Sequence, residues 1–279
     1  MNRSTTPVAV LGLGIIGSRV ASHLDRAGHP TVLWSRTGRI ASTCQSPQEA
    51  AEKAKTIQMF LRDDAATLDA MRSMAPILSA DHIVLNHATI SKQATLEVAS
   101  ICHERGAAFL DAPFTGSKMA AENAKLCYYI GGAGEILERA RPILEVSSAK
   151  ILHLGAIGDA MVLKIATNLV TSVTVKALCE AAAIASAEGV SLQALKTAFE
   201  SNANYSPLIG MKLSGIIEED FSPHFSLVNM LKDIDFALEL ASQSKIKAPA
   251  ATCTAEALRK GLEQKRGEED FSVIAKINE

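Results

Sequence analysis

The sequence predicts an α/β chain in two parts: a doubly wound sheet in the first half, then an all-α second half joined to it by one long helix. Three observations predict it. Short apolar runs alternate with helical stretches through the first 150 or so residues. A glycine-punctuated turn follows the first of those runs. After Gly158 nearly everything reads as helix. For 279 residues two modest domains are reasonable, and the change of rhythm puts them at 1–157 and 158–279.

The elements follow in order. PVAVLG (7–12) reads as a buried strand and 15–27 as a helix. TVLWS (31–35) is a strand, and 46–54 a helix with Pro47 in its first turn. TIQMFL (56–61) is a strand, 64–75 a helix, HIVLN (82–86) a strand, 92–105 a helix and AAFLDA (107–112) a strand. Repeated strand–helix units with short links predict a parallel sheet covered on both faces. Residues 125–131 and 150–152 read as further strands. The second half opens on a helix from 159 to 188, stopped by Gly189. Further helices are predicted at 191–201, 206–218, 228–243, 248–260 and 270–277.

Composition narrows the function classes. Hydrophobic residues make up 48% of the chain, enough for a core. Lys plus Arg number 28 against 30 for Asp plus Glu, a net charge of −2, so no global cationic field draws nucleic acid or anionic lipid. The five cysteines are dispersed, which suits reduced thiols and a cytoplasmic location. The N-terminus has no signal-peptide pattern. The most apolar later stretch, 160–187, carries Lys164, Lys176 and Glu180, so a soluble protein is expected rather than a membrane one. The seven histidines show no metal-ligand spacing, and neither a Walker lysine nor a G-x-S-x-G turn occurs; no metal is expected.

The first turn is the sharpest motif. Gly12-Leu13-Gly14-Ile15-Ile16-Gly17 has the G-x-G-x-x-G form between a strand and a helix, the Rossmann-type setting. Gly12 permits the tight turn, Gly14 lets a pyrophosphate approach the backbone, and Gly17 lets helix and strand pack. The end of the second strand chooses the cofactor. It reads Ser35-Arg36-Thr37, with no acid to hold a ribose 2′-hydroxyl. A guanidinium and hydroxyls suit a 2′-phosphate instead, which predicts NADP(H). Leu61, closing the third strand, joins the cofactor-binding set.

A second feature lies on the long helix. Lys164 stands among Met161, Val162, Leu163 and Ile165, and Asn168, Thr171 and Ser172 continue its face at helical spacing. Such a lysine either snorkels beside polar helix contacts or lines a cleft between the two halves as a proton donor. Asn168, one turn on, can bond the lysine or the same reacting oxygen.

These residues carry a resemblance to the beta-hydroxyacid dehydrogenase family over nearly the whole chain. The family's G-x-G-x-x-x-K-x-x-x-N segment reads Gly158-x-Ala160-x-x-x-Lys164-x-x-x-Asn168, so alanine replaces the second glycine. The resemblance implies that Lys164 is catalytic and Asn168 assists it. The family's D-A-P-V-S-G-G motif appears as Asp111-Ala-Pro-Phe-Thr115-Gly116-Ser117, implying that Thr115, Gly116 and Ser117 bind a substrate carboxylate. The continuation, with Lys118 and then Ala121-Glu122-Asn123, is similar to the G-S-K-x-x-A-E-D-G pattern of the glyoxylate and succinic semialdehyde reductases. Asn123-Ala124 replaces its Asp-Gly, and Met119-Ala120 its usual Lys-Pro. Asn86-His87-Ala88-Thr89-Ile90 resembles the family's strand-end S-T-I/V, which implies Thr89 beside the nicotinamide; His87 reads as filling the loop. Phe225 and Lys232-Asp233 match the late F…K-D segment. The family then implies that Lys232 approaches the cofactor, Asp233 supports the active site and Phe225 walls the substrate.

The expected activity is NADPH-dependent reduction of small carboxylate-bearing aldehydes, glyoxylate and succinic semialdehyde, with Lys164 as proton donor. A hydroxyisobutyrate or tartronate semialdehyde dehydrogenase and an imine reductase are the rival enzymes; a cofactor-binding sensor or scaffold is the rival outside enzymes. The expected partners are a small-molecule substrate and a second copy of the chain, as homodimer or homotetramer through the helices after Gly158.

Overall fold

The apolar run near the N-terminus forms β1 (Val8–Leu11), buried at every position because sheet neighbours flank it and helices cover it. The computed structural model describes residues 6–36, 38 and 42–277. It divides into two units whose boundary, Lys164/Ile165, falls inside the long helix.

In the first unit β1 is followed by α1 (Gly17–Arg26), β2 (Thr31–Trp34), α2 (Pro47–Lys53), β3 (Thr56–Met59), α3 (Asp64–Met74), β4 (Ile83–Asn86), α4 (Lys92–Glu104) and β5 (Ala108–Asp111). The strand–helix rhythm expected from the sequence is present, and residues at helix starts explain several boundaries. Ser46 Oγ accepts the Glu49 N–H with Pro47 at the first helical position. Asp63 and Ser91 accept in the same way from Ala66 and Ala94 at the starts of α3 and α4.

After β5 come β6 (Phe114–Thr115), α5 (Lys118–Glu122), β7 (Leu126–Gly131), α6 (Gly134–Glu145) and β8 (Ser148–Gly155). The sheet order is β2-β1-β3-β4-β5-β7-β6, with β8 beside β7. The first five strands are parallel. The parallel sheet expected from the strand–helix units is present; the later strands, whose direction the sequence left open, make the sheet mixed, with β7 antiparallel to both β5 and β6 and β8 parallel to β7. Only ten residues separate β6 from β7, fewer than the dozen or so a parallel crossover needs. Three elements were not foreseen: the two-residue β6, the short α5, and α6, which holds Pro142 in its interior.

The long helix α7 (Asp159–Ala187) then leads into the second unit, with α8 (Leu192–Glu200), α9 (Pro207–Glu218), α10 (Leu227–Gln243) and α11 (Pro249–Glu263). The predicted last helix is instead a 3₁₀ turn, Phe271–Lys276. Asp270 draws it tight by accepting from both the amide and the hydroxyl of Ser272. The core of this unit gathers Val175, Leu178, Leu213, Met230, Ile234, Leu258 and Phe271. Within it Lys212 Nζ meets both carboxylate oxygens of Asp270 at 2.7 Å, and backbone N–H groups of His224 and Phe225 reach the same carboxylate. Burial alone would raise the Asp270 carboxyl, but Lys212 and Ser272 outweigh it and hold it below the ordinary value.

By length and composition α7 is long and apolar enough to cross a membrane. It also supplies Val175, Leu178 and Cys179 to the core of the second unit, as a core helix does.

Candidate functional site

The carboxyl ends of β1, β2 and β3 surround a cleft of about 490 Å³ in the first unit, at the point where the strand order reverses about β1. Gly12 turns the chain there with φ +94°, a left-handed value. A Cβ on it would strike the carbonyl of Phe60, and a Cβ on Gly17 would strike the carbonyl of Gly12. Gly14 differs: a Cβ there would meet no protein atom within 4 Å. Protein packing does not demand that glycine, so its bare backbone keeps room open beside the loop. No side chain caps α1, and its first turn holds no acid. Such a helix start suits a phosphate anion, and the residues present fit a dinucleotide.

Gly12, Leu13, Gly14, Ser35, Arg36 and Leu61 all line this cleft, as expected from the sequence. Ile15 is exposed on the loop, and Ile16 packs partly into the core below it. Thr37 lies outside the described residues. The cleft has further walls that sequence reasoning missed. One is Arg62, just past β3. Another is the face of α3 formed by Ala66, Asp69, Ala70 and Ser73, whose i, i+3, i+4, i+7 spacing was visible but resembles that of any packed helix. A shallower hollow of about 610 Å³ in the second unit is lined by Arg266 and Lys276; both already pair with Glu269 and Glu219, and nothing marks it as a site.

Thr89 follows β4 in a loop held at both ends. Asn86 exchanges hydrogen bonds with Ala88, and Asp64 accepts from the amide and hydroxyl of Ser91 at 2.9 and 2.6 Å. His87 is buried beneath, stacked on Phe60 with centroids 4.4 Å apart. Burial lowers its pKa to about 4, so it is neutral at pH 7 and donates from one nitrogen only. Nδ1–H bonds the Ala112 carbonyl at 2.7 Å, and Nε2 stands 3.0 Å from the Gln58 amide. Turning that amide gives Nε2 a donor and gives the buried Gln58 nitrogen the partner it otherwise lacks. His87 is thus a packing residue.

Thr115 ends β6. Gly116 follows at φ +136°, and the Ser117 hydroxyl is not spent on capping α5. These three do not line the dinucleotide cleft; Thr115 and Gly116 are exposed at the β6 edge. Asp111, quoted in the motif but given no task by the sequence, has one. Fully buried at the end of β5, it accepts the Met161 N–H at 3.0 Å and so anchors the first turn of α7. Its other oxygen lies against Gly131, where a Cβ would collide with it, and has no hydrogen-bond partner among the described residues. Burial pushes its pKa up to about 6.

On α7, Lys164 is half-buried and shares a helix face with Asn168 and Ser172, both buried. Within the second unit Asn168 Nδ2 donates to Asp233 at 2.6 Å, and Lys232 Nζ reaches the other oxygen of the same carboxylate at 2.7 Å. Asp233 is fully buried. It can only accept, so it fixes which way the Asn168 amide faces. Phe225 is half-buried and meets Phe271 edge-on. The structure therefore brings together Asn168, Lys232 and Asp233, and separately the loop, Ser35, Arg36 and Leu61.

Two family models match the chain. One is described as the NAD binding domain of 6-phosphogluconate dehydrogenase and covers residues 7–158. The other is described as the NAD-binding domain of NADP-dependent 3-hydroxyisobutyrate dehydrogenase and covers 158–277. Glyoxylate/succinic semialdehyde reductase 1 of Arabidopsis thaliana is 26% identical over 278 residues, 96% of each chain. NAD-dependent L-serine dehydrogenase of Pseudomonas aeruginosa is 28% identical over 289 aligned positions, 97% of each chain. Among solved structures, 3-hydroxyisobutyrate dehydrogenase of Mycobacterium tuberculosis with L-serine superposes with a TM-score of 0.88 at 26% identity, over 98% of this chain and 99% of its own.

Proposed function

Because the chain belongs to the beta-hydroxyacid dehydrogenase family of oxidoreductases, we propose that it reduces small aldehydes bearing a carboxylate, such as glyoxylate and succinic semialdehyde, with NADPH. The observation that carries this reading is the fixed amide of Asn168, held by Asp233 on the helix face of Lys164. A lysine accompanied by an oriented hydrogen-bonding partner is equipped to give a proton to a carbonyl oxygen. Residues 1–157 bind the cofactor and residues 158–279 serve substrate and assembly.

Gly12 to Gly17 take the pyrophosphate, Ser35, Arg36 and Thr37 the 2′-phosphate, and Leu61, Thr89 and Lys232 complete the cofactor set. When bound, the reduced nicotinamide supplies a hydride to the carbonyl carbon. Lys164 Nζ gives its proton to the oxygen of that carbonyl, so the aldehyde becomes a primary alcohol. Asn168 orients the ammonium, and Asp233 orients Asn168. Thr115, Gly116 and Ser117 hold the carboxylate and Phe225 closes the substrate side. Arg36 at the end of β2, with no acid beside it, supports NADPH over NADH. The five free cysteines suit a reducing cytoplasm.

A second reading has a specific basis: two of the relatives above are described with L-serine, itself a 3-hydroxy acid. The same lysine would then accept the hydroxyl proton in the oxidative direction. Cofactor absorbance decides between them, with glyoxylate or succinic semialdehyde plus NADPH or NADH, and with L-serine plus NAD⁺ or NADP⁺. NADPH consumption by the aldehydes is expected. Turnover confined to L-serine and NAD⁺ would replace this proposal with the second reading, and cofactor binding without turnover of any of them would favour a sensor.

A further inference from the structure

We infer that Arg62 is a second guanidinium for the cofactor's 2′-phosphate, closing with Arg36 into a two-arginine clamp that selects NADP(H) over NAD(H). This rests on the NADP(H) reading above and names a residue that neither the glycine motif nor the β2 end points to.

Both arginines line the same cleft as the phosphate loop. They reach it from opposite sides. Leu11, just before the loop, is paired in register with Trp34 on β2 and with Met59 on β3. Arg36 stands two residues past the first and Arg62 three past the second. Two strand spacings, about 10 Å, separate those strand ends, a gap that two long side chains can close on one dianion.

The acids around Arg62 are engaged elsewhere. Asp63 accepts the Ala66 N–H at the start of α3, and Asp64 is spent on the amide and hydroxyl of Ser91. Asp69, the one carboxylate on the cleft wall, is largely exposed and lies 3.8 Å from Arg72. Neither Arg36 nor Arg62 forms an ion pair among the described residues. Among the described residues the cleft thus holds two guanidiniums without ion-pair partners against one solvated, partnered carboxylate, a balance that favours an anion there. Leu61, Pro47, Ala66 and Ala70 supply an apolar slot beside them, suited to a planar base.

A surface arginine at this place has one other natural task, stacking on the adenine, and stacking treats NADH and NADPH alike. The test uses that difference. Dissociation constants are measured by calorimetry for NADPH, NADH, 2′,5′-ADP and 5′-AMP, on the unmodified protein and on Arg36→Ala, Arg62→Ala and Arg62→Gln, with melting temperatures for each. Arg62 is exposed, so both its variants should melt normally. Arg62→Ala and Arg62→Gln are expected to weaken NADPH and 2′,5′-ADP about tenfold, leaving NADH and 5′-AMP within about twofold. Equal losses for NADPH and NADH, or no loss, overturn the clamp. If the unmodified protein itself shows no preference for NADPH, the NADP(H) reading fails and the clamp with it. A preference that survives both Arg62 variants but falls with Arg36→Ala overturns the clamp alone.

Discussion

Replacing Asp233 with Asn should turn the amide of Asn168 around. In the native protein Asp233 accepts from Asn168 Nδ2 at 2.6 Å and from Lys232 Nζ at 2.7 Å, fully buried. An asparagine there offers one oxygen and one nitrogen. The Lys232 ammonium only donates, so it keeps the oxygen, and the nitrogen is left facing Asn168. Asn168 must then present its own oxygen to position 233, and its amino group swings to where the oxygen had been. That oxygen is the one our mechanism assigns to orienting the Lys164 ammonium, which has no use for another donor. A buried hydrogen bond to a charged group contributes about 1.5–3 kcal/mol. Lost from the transition state at about 1.4 kcal/mol per factor of ten, this lowers kcat roughly ten- to hundredfold.

The assay is a double-mutant cycle on kcat with Asp233→Asn, Asn168→Ala and both together, each checked for its melting temperature. If Asp233 acts through Asn168, the double variant is no slower than Asn168→Ala, and the coupling energy is about 1.5–3 kcal/mol. Losses that multiply would refute the reasoning, because Asp233 would then be acting on the reaction by a route that bypasses Asn168.

Lys164→Ala should cut kcat by about a hundred- to ten-thousandfold with NADPH affinity and melting temperature nearly unchanged; a stability loss with normal turnover would make the lysine a structural, snorkelling residue. Asp111 has a native pKa raised to about 6 from 3.8, so its contribution to stability is full below about pH 4 and lost as pH rises through 6. The unfolding free energy of Asp111→Asn relative to the unmodified protein should therefore rise by up to about 3 kcal/mol between pH 4 and 7, and a difference flat in pH counts against it. Lys212→Met leaves the Asp270 carboxylate buried without its cation and should cost about 3–5 kcal/mol in denaturant unfolding; a cost below about 1 kcal/mol would mean that the four remaining N–H and O–H donors suffice. Val170 and Ile184 on α7 are 63% and 66% exposed, so light scattering should show a homodimer or homotetramer, and Val170→Glu with Ile184→Glu should give the monomer mass; a monomer in the unmodified protein removes the assembly proposal.

What was legible in the sequence was whatever depends on a residue's own conformational limits. Gly12 and Gly17 announce the loop because no other residue avoids the carbonyls of Phe60 and Gly12. Ser46-Pro47 and Ser206-Pro207 announce helix starts because hydroxyl acceptor and fixed φ work locally. What depends on distant partners was not legible. Nothing near residue 126 says that β7 will run against β5. The helix α6 was not predicted, and it holds near its end Pro142, a residue that ordinarily disfavours a helix interior. Without the family resemblance Lys232-Asp233 would read as a solvated helix turn, because its partner Asn168 lies 65 residues away. Arg62 reads as surface because only the fold sets it in the cleft with Arg36.

The two buried carboxylates then make one argument about α7. Asp111 fixes the first turn of the helix from β5, and Asp233 fixes the Asn168 side chain from α10. Lys164 lies between those two points in the chain, three residues after Met161 and four before Asn168. An ammonium on a four-carbon stem has many rotamers to lose, and a proton donor works only when it is held near its acceptor. Anchoring the helix start constrains the first turn of α7, and holding Asn168 Nδ2 constrains which atom that amide presents to the ammonium in the proposed mechanism. Neither carboxylate need touch substrate to matter. Under the role proposed for Lys164, each buried carboxylate serves the helix within its own unit: Asp111 sets the backbone of its first turn, and Asp233 sets the Asn168 amide.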